Sequence, residues 1–323
     1  MTAPSVSVPA TAPRVARGPA RGRERYTGLI EGYFRFHALA VYVFLYLPIF
    51  VVVVFAFNGT NRNVTDWQGF SLRWFQMALA DTGVQRNLWN SFIIAFINAI
   101  LATTFGTMAA LGLQRVRPRM RTAFEALTYV SVIIPEIVIA LATLILFSQL
   151  RDIVNPVLAS LQKGSAHPAQ LQLGYWSIIA AHVLFNLSLV FLLVRARLSG
   201  MDRTHVEASY DLYATPWRTF RQITFPQLLP AIVAGFLLSF TFSFDDYVIT
   251  QFVSGPGSQT LPLYIFGQTR QGVTPLTNAI AAMMLLVTLT VLIVGQWFFN
   301  RQARRTGGDA TAPMTMVTGT GAE

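Results

Sequence analysis

The stretch HVEASYDLYATPWRTFRQITFPQLLP (His205–Pro230) decides how this chain is read. It carries Glu207, Asp211, Arg218 and Arg221, yet long apolar runs flank it on both sides. Thr215 suits a helix N-cap, and Pro216 suits the first helical position, where its missing N–H costs nothing. Two short amphipathic helices are therefore predicted, the second starting at Thr215-Pro216. In the first, His205, Ala208, Ser209 and Leu212 share one face at helical spacing, with Glu207 and Asp211 four apart on another. Like charges at that spacing repel mildly, and a cationic partner from outside the chain would relieve them. The second helix presents Trp217, Phe220 and Ile223 on one side and Arg218 and Arg221 elsewhere. Pro226 is expected to end or bend it. Two readings of the pattern stand equal: a hairpin lying on a membrane surface with Arg toward lipid phosphate, and a docking surface for another protein.

The flanking runs set the class. Of 323 residues, 53% are hydrophobic and 12% charged, and the mean hydropathy is +0.49. A soluble domain carries about 25% charged residues, so the composition is that of an integral membrane protein. The net charge is +10, and all but one of the 24 basic residues are Arg. A strongly basic soluble domain would point to nucleic acid. Here the Arg residues sit between apolar runs, and membrane topology accounts for them. The absence of cysteine excludes disulfides, Cys-ligated zinc, Fe–S clusters and thiol catalysis. The four His residues show no metal-ligand spacing.

A hydrocarbon core of about 30 Å takes roughly 20 helical residues. Six segments qualify, at about 37–57, 90–113, 123–148, 175–195, 230–252 and 278–298. The third contains Pro135, so a kink is expected. Acids interrupt the fifth. With the N-terminus inside, 18 basic residues fall in inner segments and 6 in outer ones. Positive residues favour the cytoplasm, so both termini are expected there, together with a loop over 196–229. Residues 1–28, rich in Pro, Ala and Arg, lack the apolar run of a signal peptide and read as a disordered basic tail. Residues 306–323 read the same way, leaving 29–305 as one all-α membrane domain.

The opening stretch also resembles the EAA signature of permease subunits in ABC importers: Glu-Ala-Ala, three residues, Gly, nine residues, Ile, one residue, Leu-Pro. The matching positions are Glu207-Ala208-Ser209, Tyr213, Ile223 and Phe225-Pro226, with every interval kept. Ser209, Tyr213 and Phe225 depart from the signature. Tyr resists the left-handed turn that Gly permits, which predicts a differently shaped turn at 213. YLPIFVVVVFAFN, WQGFSLRWF, IIPEIVIA, SFTFSFDDYVITQFVSGPG and TLPLYIF look like the second permease of spermidine/putrescine importers, over roughly residues 38–300. The resemblance implies a type I importer permease fold in the bacterial inner membrane. It also implies a second homologous permease, ATPase subunits docked at the loop, and an extracytoplasmic solute-binding protein. In that reading Glu207, Ala208, Ser209, Asp211, Tyr213, Ala214, Trp217, Arg218, Phe220, Ile223 and Pro226 form the coupling loop.

Acids inside spans are costly and face a bundle interior or a water path. Glu136 follows Pro135, and Asp245-Asp246 end the fifth apolar run. Consecutive helical residues point about 100° apart, so only one Asp need face a pathway. Two roles stand open for these acids. They line a path for a polyvalent cation with Tyr247, or they cap a broken helix and pair with Arg270 or a neighbouring hydroxyl. Phe240, Phe242, Phe244 and Tyr247 are candidates for cation–π contact, with plain packing as the commoner role of such rings. His182 and Asn186 line the path or make an interhelical hydrogen bond. Gly106, Ala109 and Ala110 suit close helix packing. The outer loop 58–89 is expected to hold a short helix around Leu72 to Ala80, in contact with a binding protein or resting on the membrane.

No GxxxxGK[ST] loop is present, since Lys163 sits in LQKGS. ATP is therefore expected to be used by a partner chain, with no cofactor on this one. No nucleophile–base constellation is visible, so no enzyme activity is expected. The rivals are a permease for another small solute and an ATPase-independent transporter or channel.

Overall fold

The computed structural model describes residues 21–60, 64, 66–162, 170–270 and 272–305, with side chains from residue 31 to 298 and at Arg301. The residues 1–20 and 306–323 of the expected tails, and Lys163, lie outside the described residues. Among those described, six helices are long and apolar enough to cross a membrane: Glu31–Ala56, Thr82–Arg115, Glu136–Leu161, Tyr175–Ser199, Pro216–Asp245 and Pro275–Phe298. The chain divides into two units at Val52. The first holds most of helix α1 (Arg21–Ala56), which begins inside the stretch 1–28. Its aromatic and aliphatic side chains from Tyr33 to Val52 are exposed, as suits a helix solvated by apolar surroundings.

In the second unit, α2 (Arg73–Ala80) and α3 (Thr82–Gly112) come first. Trp74 is buried and its indole N–H donates to Asn58 O at 2.9 Å, tying α2 to the residues after α1. Asp81 caps α3, accepting from Gly83 N at 2.7 Å and Val84 N at 3.0 Å. Helix α4 (Pro118–Ile133) is followed by α5 (Glu136–Leu161). The kink expected at Pro135 is a full break. Ile134 adopts φ −60°, ψ 131°, because a residue preceding proline is pushed out of the α region. Glu136 then opens α5 as an acid in its first turn, where the helix dipole favours negative charge. The apolar segment long enough to span is therefore Glu136–Leu161, displaced from 123–148.

Helix α6 (Tyr175–Ser199) leads to α7 (Thr204–Asp211), α8 (Pro216–Thr219), a π-turn over Phe220–Thr224 and α9 (Phe225–Asp245). Pro226 does not end or bend the helix away. It lacks the N–H that would bond the turn below and its ring crowds that carbonyl. The wider π-turn absorbs the misfit, with Phe225 N bonding Phe220 O. The fifth span accordingly runs from Pro216 to Asp245 rather than over 230–252. After an extended Asp246 come α10 (Val248–Val253), α11 (Leu261–Thr269) and α12 (Pro275–Arg305).

Helices α3, α6 and α9 pack around a core of Ala102, Ala110, Val190, Phe191, Val194 and Leu228. Gly106 makes the close approach possible. A Cβ there would stand 2.8 Å from Val190 Cβ and 3.0 Å from Leu187 O. Small residues thus supply the packing surface that membrane helices use in place of a hydrophobic driving force. Polar contacts cross the same bundle, among them Asn98 Nδ2 donating to Ser239 O at 3.0 Å.

Candidate functional sites: an exposed loop and an acidic pocket

The loop between α6 and α9 is a compact hairpin. Helix α7 ends in a Schellman motif: Ala214 N bonds Ser209 O at 3.0 Å and Tyr213 N bonds Tyr210 O at 2.9 Å. Tyr213 takes the left-handed position, with φ 56°. Thr215 Oγ1 accepts from Arg218 N at 3.4 Å and starts α8. Ser209 and Thr219 are buried against each other, their hydroxyls 2.9 Å apart. Before α7, Asp202 accepts from Thr204 N at 2.9 Å and Thr204 Oγ1 at 2.6 Å. These bonds hold its carboxyl below the usual carboxylate range. Of the face expected to join His205, Ala208, Ser209 and Leu212, only Ser209 turns inward; the other three are exposed. A short helix carried away from the bundle leaves most of its turns without a surface to pack on. Trp217, Phe220 and Phe225 form a ring series, with centroids 5.7 Å and 6.0 Å apart. Glu207, Asp211, Arg218 and Arg221 are exposed, as are Leu212, Tyr213 and Trp217. A groove of about 780 Å³ separates this hairpin from the end of α3 and the 3-10 turn Leu113–Arg115 that follows it.

At the other end of α9 the two neighbouring acids part company. Asp246 is buried and satisfied four times over. It accepts from Ile249 N at 3.2 Å, Thr250 N at 2.8 Å, Thr250 Oγ1 at 2.8 Å and His182 Nε2 at 3.0 Å. Asp245 is exposed on the opposite side and accepts from Thr288 Oγ1 of α12 at 3.1 Å. It borders a pocket of about 430 Å³ walled by Tyr247, Ile265, Phe266, Met284 and Thr288. The Tyr247 and Phe266 rings lie 4.3 Å apart, and the Arg270 guanidinium sits 4.9 Å above Phe266. Asp245 thus pairs with a neighbouring hydroxyl, and Arg270 stacks on a ring. Glu136 is half-buried, within electrostatic reach of Asp246 and His182.

The family model for the binding-protein-dependent transport system inner membrane component matches residues 102–308. The chain belongs to this family. Among its relatives is the spermidine/putrescine transport system permease protein PotC of Escherichia coli (strain K12), 33% identical over 270 residues that make up 84% of this chain and 95% of that protein. The putrescine transport system permease protein PotI of the same strain is 37% identical over 267 residues, 82% of this chain and 89% of the relative. The fold is shared with a bacterial alginate ABC transporter solved with an alginate-bound periplasmic protein, at TM-score 0.65 and 15% identity, over 89% of this chain and 98% of that one. It is also shared with the MetNI methionine ABC transporter, at TM-score 0.53 and 15% identity, over 67% and 94%. The permease is a multi-pass inner-membrane transport component and not an enzyme.

The permease departs from the sequence expectations at named places. Tyr213 keeps the left-handed turn that its side chain was expected to resist, because the two Schellman bonds hold it and its ring points into open space, 95% exposed. Ser209, in place of Ala, is matched by the Thr219 hydroxyl. Phe240 and Phe244 are buried against Ala95 and Ala99 and are packing residues, while Phe242 lies against Phe185. Ser243 and Asp246 flank His182, so a Ser–His–Asp contact exists where no such constellation was visible in the sequence. All three side chains are buried, which leaves no room for a substrate beside the serine. Thr288, Phe266 and the Arg195–Glu125 pair, at 2.9 Å, were unreadable beforehand. Lone Thr and Phe residues in apolar spans carry no periodic signal, and an interhelical ion pair depends on the packing of helices far apart in sequence.

Proposed function

We propose that this permease forms half of the translocation path of an ABC importer for a small polyvalent cation, of the spermidine/putrescine class. The observation that carries the substrate class is the Asp245 carboxylate, open to a pocket whose other walls include the Tyr247–Phe266 ring pair. A carboxylate and adjacent ring faces attract an alkylammonium group by charge and by cation–π contact. The names of the relatives point the same way. Asp245 and Tyr247 are the cation-facing groups, whereas Asp246 and Glu136 support the helix breaks. The distribution of Arg puts both termini and the 196–229 loop in the cytoplasm. There the exposed surface of Glu207, Asp211, Leu212, Tyr213 and Trp217 docks an ATPase subunit, which supplies ATP hydrolysis. A second permease completes the path, and a binding protein delivers solute on the far side. This chain needs no cofactor of its own.

The test is uptake of labelled putrescine and spermidine by cells without their own polyamine import, expressing the whole transporter with and without its ATPase. ATPase-dependent uptake is expected, and Asp245→Asn should raise the uptake KM about tenfold or more, as loss of a charged contact does. Uptake that persists without the ATPase would sink the importer mechanism. An assembled complex that takes up neither amine, but imports another solute, would remove the polyamine assignment.

A further inference from the structure

The bundle holds a buried imidazole that the transport reading leaves without a role. His182 lies in α6, 1% exposed, with both ring nitrogens engaged. Nε2 lies 3.0 Å from Asp246 Oδ2 and Nδ1 2.7 Å from Ser243 Oγ. Thr250 Oγ1 is 3.2 Å from Nε2 and gives its hydrogen to the same carboxylate oxygen. A carboxylate with four donors around it only accepts, so Nε2 carries a hydrogen and Nδ1 meets the serine hydroxyl.

This contact falls at the one place where α9 stops. Asp245 is the last helical residue, and Asp246 is extended at φ −67°, ψ 130°. Its side chain caps the first turn of α10 through Ile249 N and Thr250 N. The bend is therefore held from the inside by a side chain of a different helix. Asp245 and Tyr247, on either side of Asp246, face the pocket as a consequence of that bend. We infer that His182 is a positioning residue for transport: through Asp246 it fixes the α9–α10 bend that aims Asp245 and Tyr247 into the pocket. The inference rests on the reading of Asp245 as the cation-facing group, but the bend can be probed without it.

The chemistry separates positioning from simple packing. A buried polar pair that serves only cohesion is replaceable by apolar residues of similar volume. A pair that sets a bend is not, because Leu at 246 cannot cap α10. His182→Gln keeps an N–H donor for the carboxylate, and His182→Leu removes it.

The chain has no cysteine, so Tyr247→Cys supplies the single reporter thiol of this chain, and modification is read on this chain after the subunits are separated. Its rate of modification by a charged methanethiosulfonate would be measured in the fully assembled transporter, with His182, His182→Gln or His182→Leu. Uptake KM and maximal rate would be measured in parallel on chains that keep Tyr247. His182→Leu is expected to change the modification rate by about tenfold or more, as local opening of a pinned segment does, and to raise KM. His182→Gln is expected to restore both. If His182→Leu does not assemble, the His182→Leu/Asp246→Leu pair takes its place, with the same shift expected. Equal modification rates in all backgrounds, at equal amounts of assembled complex, would overturn the inference. Modification that follows His182 while Asp245→Asn leaves KM unchanged supports the bend and removes only the cation role of Asp245.

Discussion

Tyr213 spends backbone energy in the open. Its φ of 56° is a left-handed conformation, which costs an L-residue roughly 1–2 kcal/mol through the clash of Cβ with the following carbonyl. The side chain touches almost nothing that would repay this within the chain, so the turn itself can be tuned. Tyr213→Gly is expected to stabilise the hairpin by about 1 kcal/mol, and Tyr213→Val to destabilise it by more, since β-branching sharpens the clash. Amide exchange over residues 209–214 in the purified transporter reads both. The acids teach the same lesson in another way. Asp245 and Asp246 are indistinguishable as letters, and the intramembrane position of both was legible. Which one faces the pocket depends on the ψ of Asp246 and on an imidazole from α6, neither of which leaves a trace in the local pattern.

Thr215-Pro216 was legible on local grounds as a helix start, and it opens α8. Pro135 was legible only as a kink, whereas it separates α4 from α5, and the Asp81 cap that opens α3 went unread inside the expected outer loop. Pro226 was misread because a π-turn rescues it, and that rescue is a property of the continuous Pro216–Asp245 segment. Close packing was legible only as a hint. Gly106 was a candidate small residue, but its contact is Val190 of α6. Gly106→Leu should overpack that interface and cost about 1–3 kcal/mol or more, lowering the thermal midpoint of the purified complex. Val190→Ala in the same chain should recover part of the loss. The Glu125–Arg195 bond joins α4 to α6, and Arg195 is mostly buried while Glu125 is partly so. A double-mutant cycle of Glu125→Gln with Arg195→Met should give a coupling of roughly 1–3 kcal/mol, read from the same midpoint. A coupling near zero would assign Glu125 to Arg121 alone, which it also meets at 3.1 Å.

At the scale of the molecule, one end of α9 carries the exposed hairpin and the other carries the pocket, so a single helix joins the two candidate sites. Glu207→Arg tests whether the hairpin is the coupling end. The variant chain is expected to insert at normal levels, because Glu207 is exposed, while uptake falls at least about tenfold and the ATPase no longer co-purifies. Normal uptake would take Glu207 out of the docking surface. The number of apolar helices and the loop between α6 and α9 were determined by sequence alone, because bilayer thickness fixes span length and a backbone without water must bond within its own helix; the family was legible through the resemblance carried by Glu207 to Pro226. Only the tertiary structure decided that Asp245 opens to a pocket while Asp246 is locked to His182, that Phe240 and Phe244 are packing residues, and that Tyr213 holds the turn. Each of these depends on which side of one helix meets which side of another. In a membrane that choice is made by small-residue contacts and interhelical hydrogen bonds spread across the chain, not by the local alternation of polar and apolar residues.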